Sequence, residues 1–395
     1  MSFIIQRRDE VIKLTQDLVR TKSYSGEEDK ASEVLQKFFR EKDFDEVRVD
    51  KFGNTIGTIK GNRPGKSIVF DGHLDTVPIT DESLWTYPPF SGEIQDNKIH
   101  GRGTSDMKGA LAAMAVAAAC FAEDTKRDFP GEIHVAGVVH EECFEGVAAR
   151  EISKEYNPDY VIIGEASELN LKIGQRGRAE IRLEVFGKAA HSANPEKGIN
   201  AVYKICNIIE EIKKLEPTEH PVLGKGILEL TDIKSSPYPG ASVVPEYAVA
   251  TYDRRLLVGE TKESVLKPLQ DLLDRMMHKD PELKAKVSYA VGEEACYTGN
   301  KIQGERFFPG WIFDHSEDFI QNIYKGIKAL GIDAKITHYH FCTNASHYAG
   351  EAGIKTIGIG PSKENLAHTL NEYAEIEQLE KVCDIYVSIM ETLLK

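Results

Sequence analysis

The run Ile68-Val69-Phe70-Asp71-Gly72-His73-Leu74-Asp75-Thr76-Val77-Pro78 decides how the rest of the chain is read. Apolar residues lead into a polar tail, the pattern of a buried strand whose last residues reach the rim of a sheet. Side chains two apart on a strand share a face, so Asp75 is placed to accept a hydrogen bond from the His73 ring nitrogen that does not bind metal. An isolated His-x-Asp triplet more often reads as a surface His beside a turn Asp, and the choice between the two rests on the residues downstream.

Around this run the apolar pattern alternates. Helical spacing over Val11 to Val19 and Ala31 to Phe39 predicts two opening helices. Short apolar segments bounded by turn residues predict strands over Glu46 to Val49, Thr55 to Ile59, Ser67 to Phe70, Ile94 to Ile99, Ile133 to Val139 and Tyr160 to Gly164. An alanine-rich helix over Gly109 to Ala122 and a helix over Gly146 to Glu155 lie among them. Strand and helix alternate as in an α/β sheet covered on both faces, which places chemistry at strand ends.

From about Arg178 the order becomes βαββαβ: Ala179 to Phe186, Ile199 to Leu215, Gly226 to Ile233, Glu246 to Asp253, Thr261 to Met277 and Ala285 to Val291. That is a ferredoxin-like unit, with Pro268 expected to kink its second helix. After Gly299 the first pattern resumes through helix Glu317 to Leu330, strands Lys335 to His340 and Thr356 to Ile359, and helix Ile376 to Leu394. The expected organisation is a catalytic domain over 1–177 and 296–395, interrupted by an inserted domain over 178–295.

Composition narrows the function. A formal charge of -14 repels a polyanion, so nucleic acid is excluded as a partner. The opening MSFIIQRRDEVIKL has no long apolar run, which predicts neither leader nor membrane anchor and a cytoplasmic protein. Six cysteines without a CxxC pair argue against a disulfide framework or a zinc finger.

Four further segments carry candidate chemistry. Gly101-Arg102-Gly103-Thr104-Ser105-Asp106-Met107-Lys108-Gly109 lacks the spacing of a phosphate cradle. Its Asp106, at a loop-to-helix junction, could offer both carboxylate oxygens to two cations or serve as a helix cap. His140-Glu141-Glu142 ends an apolar strand, and because neighbouring side chains diverge, one glutamate can ligate while the other serves as general base. Glu165 closes Val161-Ile162-Ile163-Gly164, where an unpaired carboxylate is costly. His368 follows Gly358-Ile359-Gly360-Pro361 just before the last helix. Two Zn²⁺ would be neutralised by Asp106, Glu142, Glu165 and one hydroxide, and imidazole with carboxylate is a donor set zinc accepts.

Together DGHLDTVP, GRGTSDMKG, HEE followed by Gly146, GEAS and AHTLNE resemble the M20 metallopeptidase and amidohydrolase family, which holds acetylornithine deacetylase, succinyl-diaminopimelate desuccinylase and bacterial carboxypeptidases. The sequence looks most like the branch of hydrolases linked to selenium metabolism. The resemblance covers nearly the whole chain. It implies a zinc-peptidase-like α/β catalytic domain with a mixed sheet, and an inserted lid that also dimerises. It further implies two divalent ions, zinc with cobalt or manganese as alternatives. His73, Asp106 and Glu165 would hold one, and Asp106, Glu142 and His368 the other. Glu141 would be the base, Asp75 would orient His73, and a non-proline cis peptide would follow Asp106. His191 would reach the oxyanion across the dimer, while Arg255, with Arg254 as competitor, would grip a substrate carboxylate. Asn344 and Gly360 are the other candidate substrate contacts. Thr343-Asn344 and Ser242 depart from many relatives, which leaves the substrate undetermined, and His347 reads as a surface His or a local specificity residue. The implied activity is hydrolysis of a small N-acyl amino acid. Dipeptide or exopeptidase cleavage is the alternative, and an inactive binding protein is disfavoured because every expected ligand is present.

Overall fold

The computed structural model describes residues 8–395, so the first seven residues of the segment read above for a leader lie outside the described residues. The chain divides into two compact units. The larger comprises the residues through Gln175, Glu293–Gln303 and Ile312–Lys395, and the smaller comprises Arg176–Gly292 and Gly304–Trp311. The insertion therefore does not close at 295/296. The pair Phe307–Phe308 returns to the smaller unit as a further strand beside Gly177–Phe186, where both phenylalanines are buried.

A mixed sheet organises the larger unit. Its centre consists of four neighbouring parallel strands in the order Pro130–Val138, Arg63–His73, Tyr160–Ile163 and Lys355–Gly358. Continuous burial along Ile68–His73 and Tyr160–Ile163 explains their unbroken apolar runs, since both faces are covered. All four run in one direction, so their carboxyl ends, which lead into His73, Glu141-Glu142, Glu165 and the His368 loop, lie along one edge. Strand Thr55–Lys60 extends the sheet antiparallel to Pro130–Val138, and Glu46–Val49 in turn pairs antiparallel with Thr55–Lys60. The alanine helix Gly109–Thr125 is buried from Gly109 to Ala122 and is apolar all round, as a helix enclosed by its own protein must be. The stretch Thr104–Thr125 is long and apolar enough to cross a membrane, yet its apolar part is wholly buried inside the protein.

The smaller unit has sheet order Ile227–Ser236, Tyr247–Leu256, Gly177–Phe186, Lys284–Tyr289, antiparallel throughout, as a ferredoxin-like βαββαβ arrangement requires. Ala201–Ile212 and Lys262–Lys279 supply Ile205, Ile208, Leu269 and Leu273 to one core with the inward residues of the strands. The second helix passes through Pro268 as one element, with the buried Val265 and Leu269 on either side of it.

Two local expectations change. Ile94 to Ile99 is a hairpin rather than one strand, turning at Asp96 and Asn97, whose φ values of 50° and 59° suit a tight two-residue turn. The helix expected from Gly146 begins at Ala149, because Gly146 has φ 88° and gives its N–H to the Asn344 side chain.

Candidate metal centre

His73 ends its strand with Nδ1 2.8 Å from the main-chain carbonyl oxygen of Asp75. A carbonyl only accepts, so Nδ1 carries a proton and Nε2 faces inward. Nε2 lies 2.9 Å from Asp106 Oδ1 and 3.6 Å from Glu165 Oε1. The other Asp106 oxygen lies 3.1 Å from His368 Nε2, which is also 2.9 Å from Glu142 Oε2. One carboxylate thus spans two imidazoles, each with a second carboxylate beside it. The donor atoms of His73, Asp106 and Glu142 lie within 4.8 Å of one another, as do those of His73, Glu141 and Glu165. His73, Asp106, Glu141 and Glu165 are buried, whereas the His368 side chain is 52% exposed and leaves that flank open.

Electrostatics show what this cluster lacks. Burial, with Asp106 beside it, pushes the Glu165 carboxyl well above the usual range, and burial with Glu165 and Glu142 nearby does the same to Glu141. Glu142 is raised by burial and by Asp106. Burial pulls His73 down, but the Asp106 hydrogen bond and the surrounding carboxylates carry it well above the ordinary histidine value. Hydrogen bonds to Asp106 and Glu142 raise His368 to about 10. Such a crowd of carboxylates and inward-facing ring nitrogens is deficient in positive charge, which divalent cations supply and protons replace only in part. The residues fit metal.

Elsewhere the structure redistributes the expected roles. The Asp75 carboxylate is not the partner of His73: its Oδ1 is 3.7 Å from Nδ1, which the Asp75 main chain already occupies. It accepts instead from the backbone N–H groups of Glu141 and Glu142, at 3.1 and 3.2 Å, and from the Ser25 hydroxyl at 2.7 Å. Asp75 therefore fixes the segment bearing the two glutamates. The Asp106–Met107 peptide is cis, as expected.

Asn344 is not free for a substrate. Its amide donates to Asp71, its oxygen accepts from Gly146, and it is 2% exposed. Gly360 is likewise a packing residue: a Cβ there would meet the Gly164 carbonyl oxygen at 2.1 Å, and its N–H and C=O both bond the Ser167 hydroxyl. His347 is buried between Ser153 and Glu351. In the smaller unit Arg254 is consumed by Glu260 and main-chain carbonyls, whereas Arg255 pairs with Asp253 and stays 31% exposed. His191 is exposed and accepts the Ala193 N–H through Nδ1.

Sequence reasoning missed Glu372, Arg102 and Lys108. Glu372 is fully buried, and burial raises its carboxyl to about 7 despite Arg102. Lys108 is also fully buried, donates to the Leu18 and Thr21 carbonyls, and is pulled down to about 7 by burial. A signal was available, because Arg102 and Lys108 stand in the same glycine-rich motif as Asp106, and Glu372 closes the motif of His368.

Residues 69–392 match the model of peptidase family M20/M25/M40. The chain belongs to this family. It is similar to the uncharacterized protein YgeY of Escherichia coli (strain K12), 30% identical over 387 residues that cover 96% of this chain and 93% of the relative. It is also similar to succinyl-diaminopimelate desuccinylase 2 of Ruegeria sp. (strain TM1040), 27% identical over 396 residues, 96% of this chain and 94% of that one. In fold it is similar to the crystal structure of Bacillus subtilis YXEP, a dinuclear metal-binding peptidase of the M20 family, with a TM-score of 0.68, 14% identity, and coverage of 98% and 99%. The M20 chain is a metal-dependent hydrolase.

Proposed function

We propose that this M20 hydrolase cleaves an amide bond of a small N-acyl amino acid using two divalent cations, zinc by preference, held by His73, Asp106, Glu142, Glu165 and His368. The carrying observation is the Asp106 carboxylate, which turns one oxygen to His73 and the other to His368. Imidazole and carboxylate donors suit zinc, and cobalt or manganese would also be accepted. Bound there, the cations would polarise the scissile carbonyl and lower the pKa of the attacking water. Glu141 would take a proton from that water and return it to the leaving amine. Its burial, its Oε1 without a hydrogen-bond partner among the described residues, and the Asp75 anchor on its backbone support this role.

Deacylation is preferred because the 27% identical relative is a desuccinylase. Dipeptide or exopeptidase cleavage is the second reading, favoured by the peptidase of like fold. We assign Arg255 to a substrate carboxylate and His191 to the oxyanion. The protein would work as a homodimer through the smaller unit, whose edge strand Ile227–Ser236 exposes Ile227 and Ile233. A cytoplasmic setting suits its six cysteine thiols. A mass-spectrometric screen of N-acyl amino acids, dipeptides and ureido compounds with zinc-loaded protein tests the reading. Turnover of N-acyl amino acids is expected, turnover of dipeptides alone would favour the second reading, and turnover of ureido compounds alone would overturn both.

A further inference from the structure

Asp106 and His368 come from segments far apart in sequence, yet both segments meet at one buried carboxylate. Glu372 Oε1 accepts the backbone N–H groups of Ser105, at 2.8 Å, and Asp106, at 3.1 Å. Its Oε2 accepts from Arg102 Nη1 at 2.7 Å, and the same nitrogen is 3.2 Å from the Thr369 carbonyl. The main chain repeats the link, with the Gly101 N–H donating to the Glu372 carbonyl at 2.9 Å and the Ser105 hydroxyl to the Tyr373 carbonyl at 2.6 Å. Glu372 is 0% and Arg102 5% exposed, and the Arg102 guanidinium lies 5.3 Å from the centroid of the Trp85 ring.

Glu372 buries a further carboxylate beside the Asp106 backbone, with Arg102 as its counter-ion. Stability alone does not call for it, because a buried ion pair is often no more stable than apolar residues of the same volume. Its geometry does call for it. Both oxygens are spent on the two ligand-bearing segments and on the cation that bonds the second of them.

We propose that Glu372, with Arg102, is a positioning residue that sets the separation between Asp106 and His368 and so tunes the metal position those two share with Glu142. The inference rests on the two-metal reading above. Asp106 serves both ions, but only one of them also depends on His368, while His73 and Glu165 are delivered by strand ends that the clamp does not touch, so the larger effect should fall on the ion held by Asp106, Glu142 and His368. Partners behind metal ligands typically change affinity by about 10- to 100-fold when removed. Glu372→Gln keeps the volume but sets an amide N–H against the Arg102 donor. Ser105→Ala cuts only the hydroxyl link to Tyr373. Glu351→Gln, at a distant ion pair with Arg150, is the control.

The experiment titrates metal-free protein with cobalt(II), following binding calorimetrically and by the d–d absorption. The native chain should take two equivalents. Glu372→Gln should weaken one of them about 10- to 100-fold and alter its absorption at full occupancy. Ser105→Ala should shift the same equivalent less, and Glu351→Gln should leave both unchanged. Native-like binding and spectrum in a folded Glu372→Gln protein would overturn the inference. If that variant does not fold, native-like behaviour of Ser105→Ala overturns it and a selective weakening supports it. A native chain that binds no metal would instead overturn the two-metal reading.

Discussion

In the larger unit the buried Asp106, Glu141 and Glu165 and the partly buried Glu142 crowd together around two imidazoles. On the smaller unit's sheet Glu184 meets Lys286 at 3.1 Å and the Tyr247 hydroxyl at 2.7 Å, and Arg178 meets Asp253 at 2.9 Å, all on residues that water reaches. Both regions are rich in charge at strand positions. They differ in that the second answers its carboxylates with cations of the chain itself, whereas the first depends on a positive charge brought from outside. Unbalanced burial of charge marks the functional site more sharply than the density of charged residues does.

The largest effects should therefore come from the unbalanced region. Glu141→Gln should lower kcat by about 10² to 10⁴ while metal content stays near native, because an amide fills the space but cannot carry a proton. Glu142→Gln should lose metal as well as turnover. Metal analysis beside kinetics on the two variants separates ligation from base chemistry. Equal metal loss in both would erase the distinction between them.

Next in size is the coupling of metal to stability. Zinc at about 100 times its Kd should stabilise the native chain by about 2.7 kcal/mol, seen as a rise in Tm, and Asp106→Ala should abolish most of that rise. An undiminished rise in the variant would place the metal elsewhere.

A third test uses a buried group that needs no cation. His134 is 1% exposed and hydrogen-bonds the Thr58 hydroxyl at 2.8 Å, and burial lowers its pKa from 6.5 to about 4. The unfolded chain then binds the extra proton between those values. The neutral ring's contribution is complete above about pH 6.5 and is lost as the pH falls toward 4, by up to about 3 kcal/mol. Urea titrations at pH 7 and pH 4.5 should give a smaller difference in His134→Gln than in the native chain, and an equal difference would contradict the assignment.

The smallest effect belongs to the balanced region. Lys286→Ala removes a pair whose lysine is 57% exposed and should change stability by no more than about 0.5 kcal/mol. A loss of several kcal/mol would show that the charges on this sheet do more than solvate it.

What the sequence made legible follows the same contrast. The central strands announced themselves as unbroken apolar runs, and each carried its polar residue at its end, so His73, Glu142 and Glu165 could be read in advance. The smaller unit was legible through alternation and helix periodicity, but not the return of Phe307–Phe308 to it, since a two-residue strand has no period. The hairpin at Asp96-Asn97 was hidden because flanking isoleucines imitate one strand. Backbone contacts were the hardest to foresee. That Asp75 serves the Glu141-Glu142 segment, that Asn344 serves Asp71, and that Glu372 serves two ligand loops all depend on which main-chain groups need partners after folding.

Everything proposed for the site turns on Asp106 joining two cations. That bridge is tested most directly by the crystal structure of the zinc-loaded chain with anomalous data at the zinc edge. Two zinc ions per chain are expected, about 3.5 to 4 Å apart, with one Asp106 oxygen on each, and with His73 and His368 on different ions. A single ion, or two ions that do not share Asp106, would contradict it.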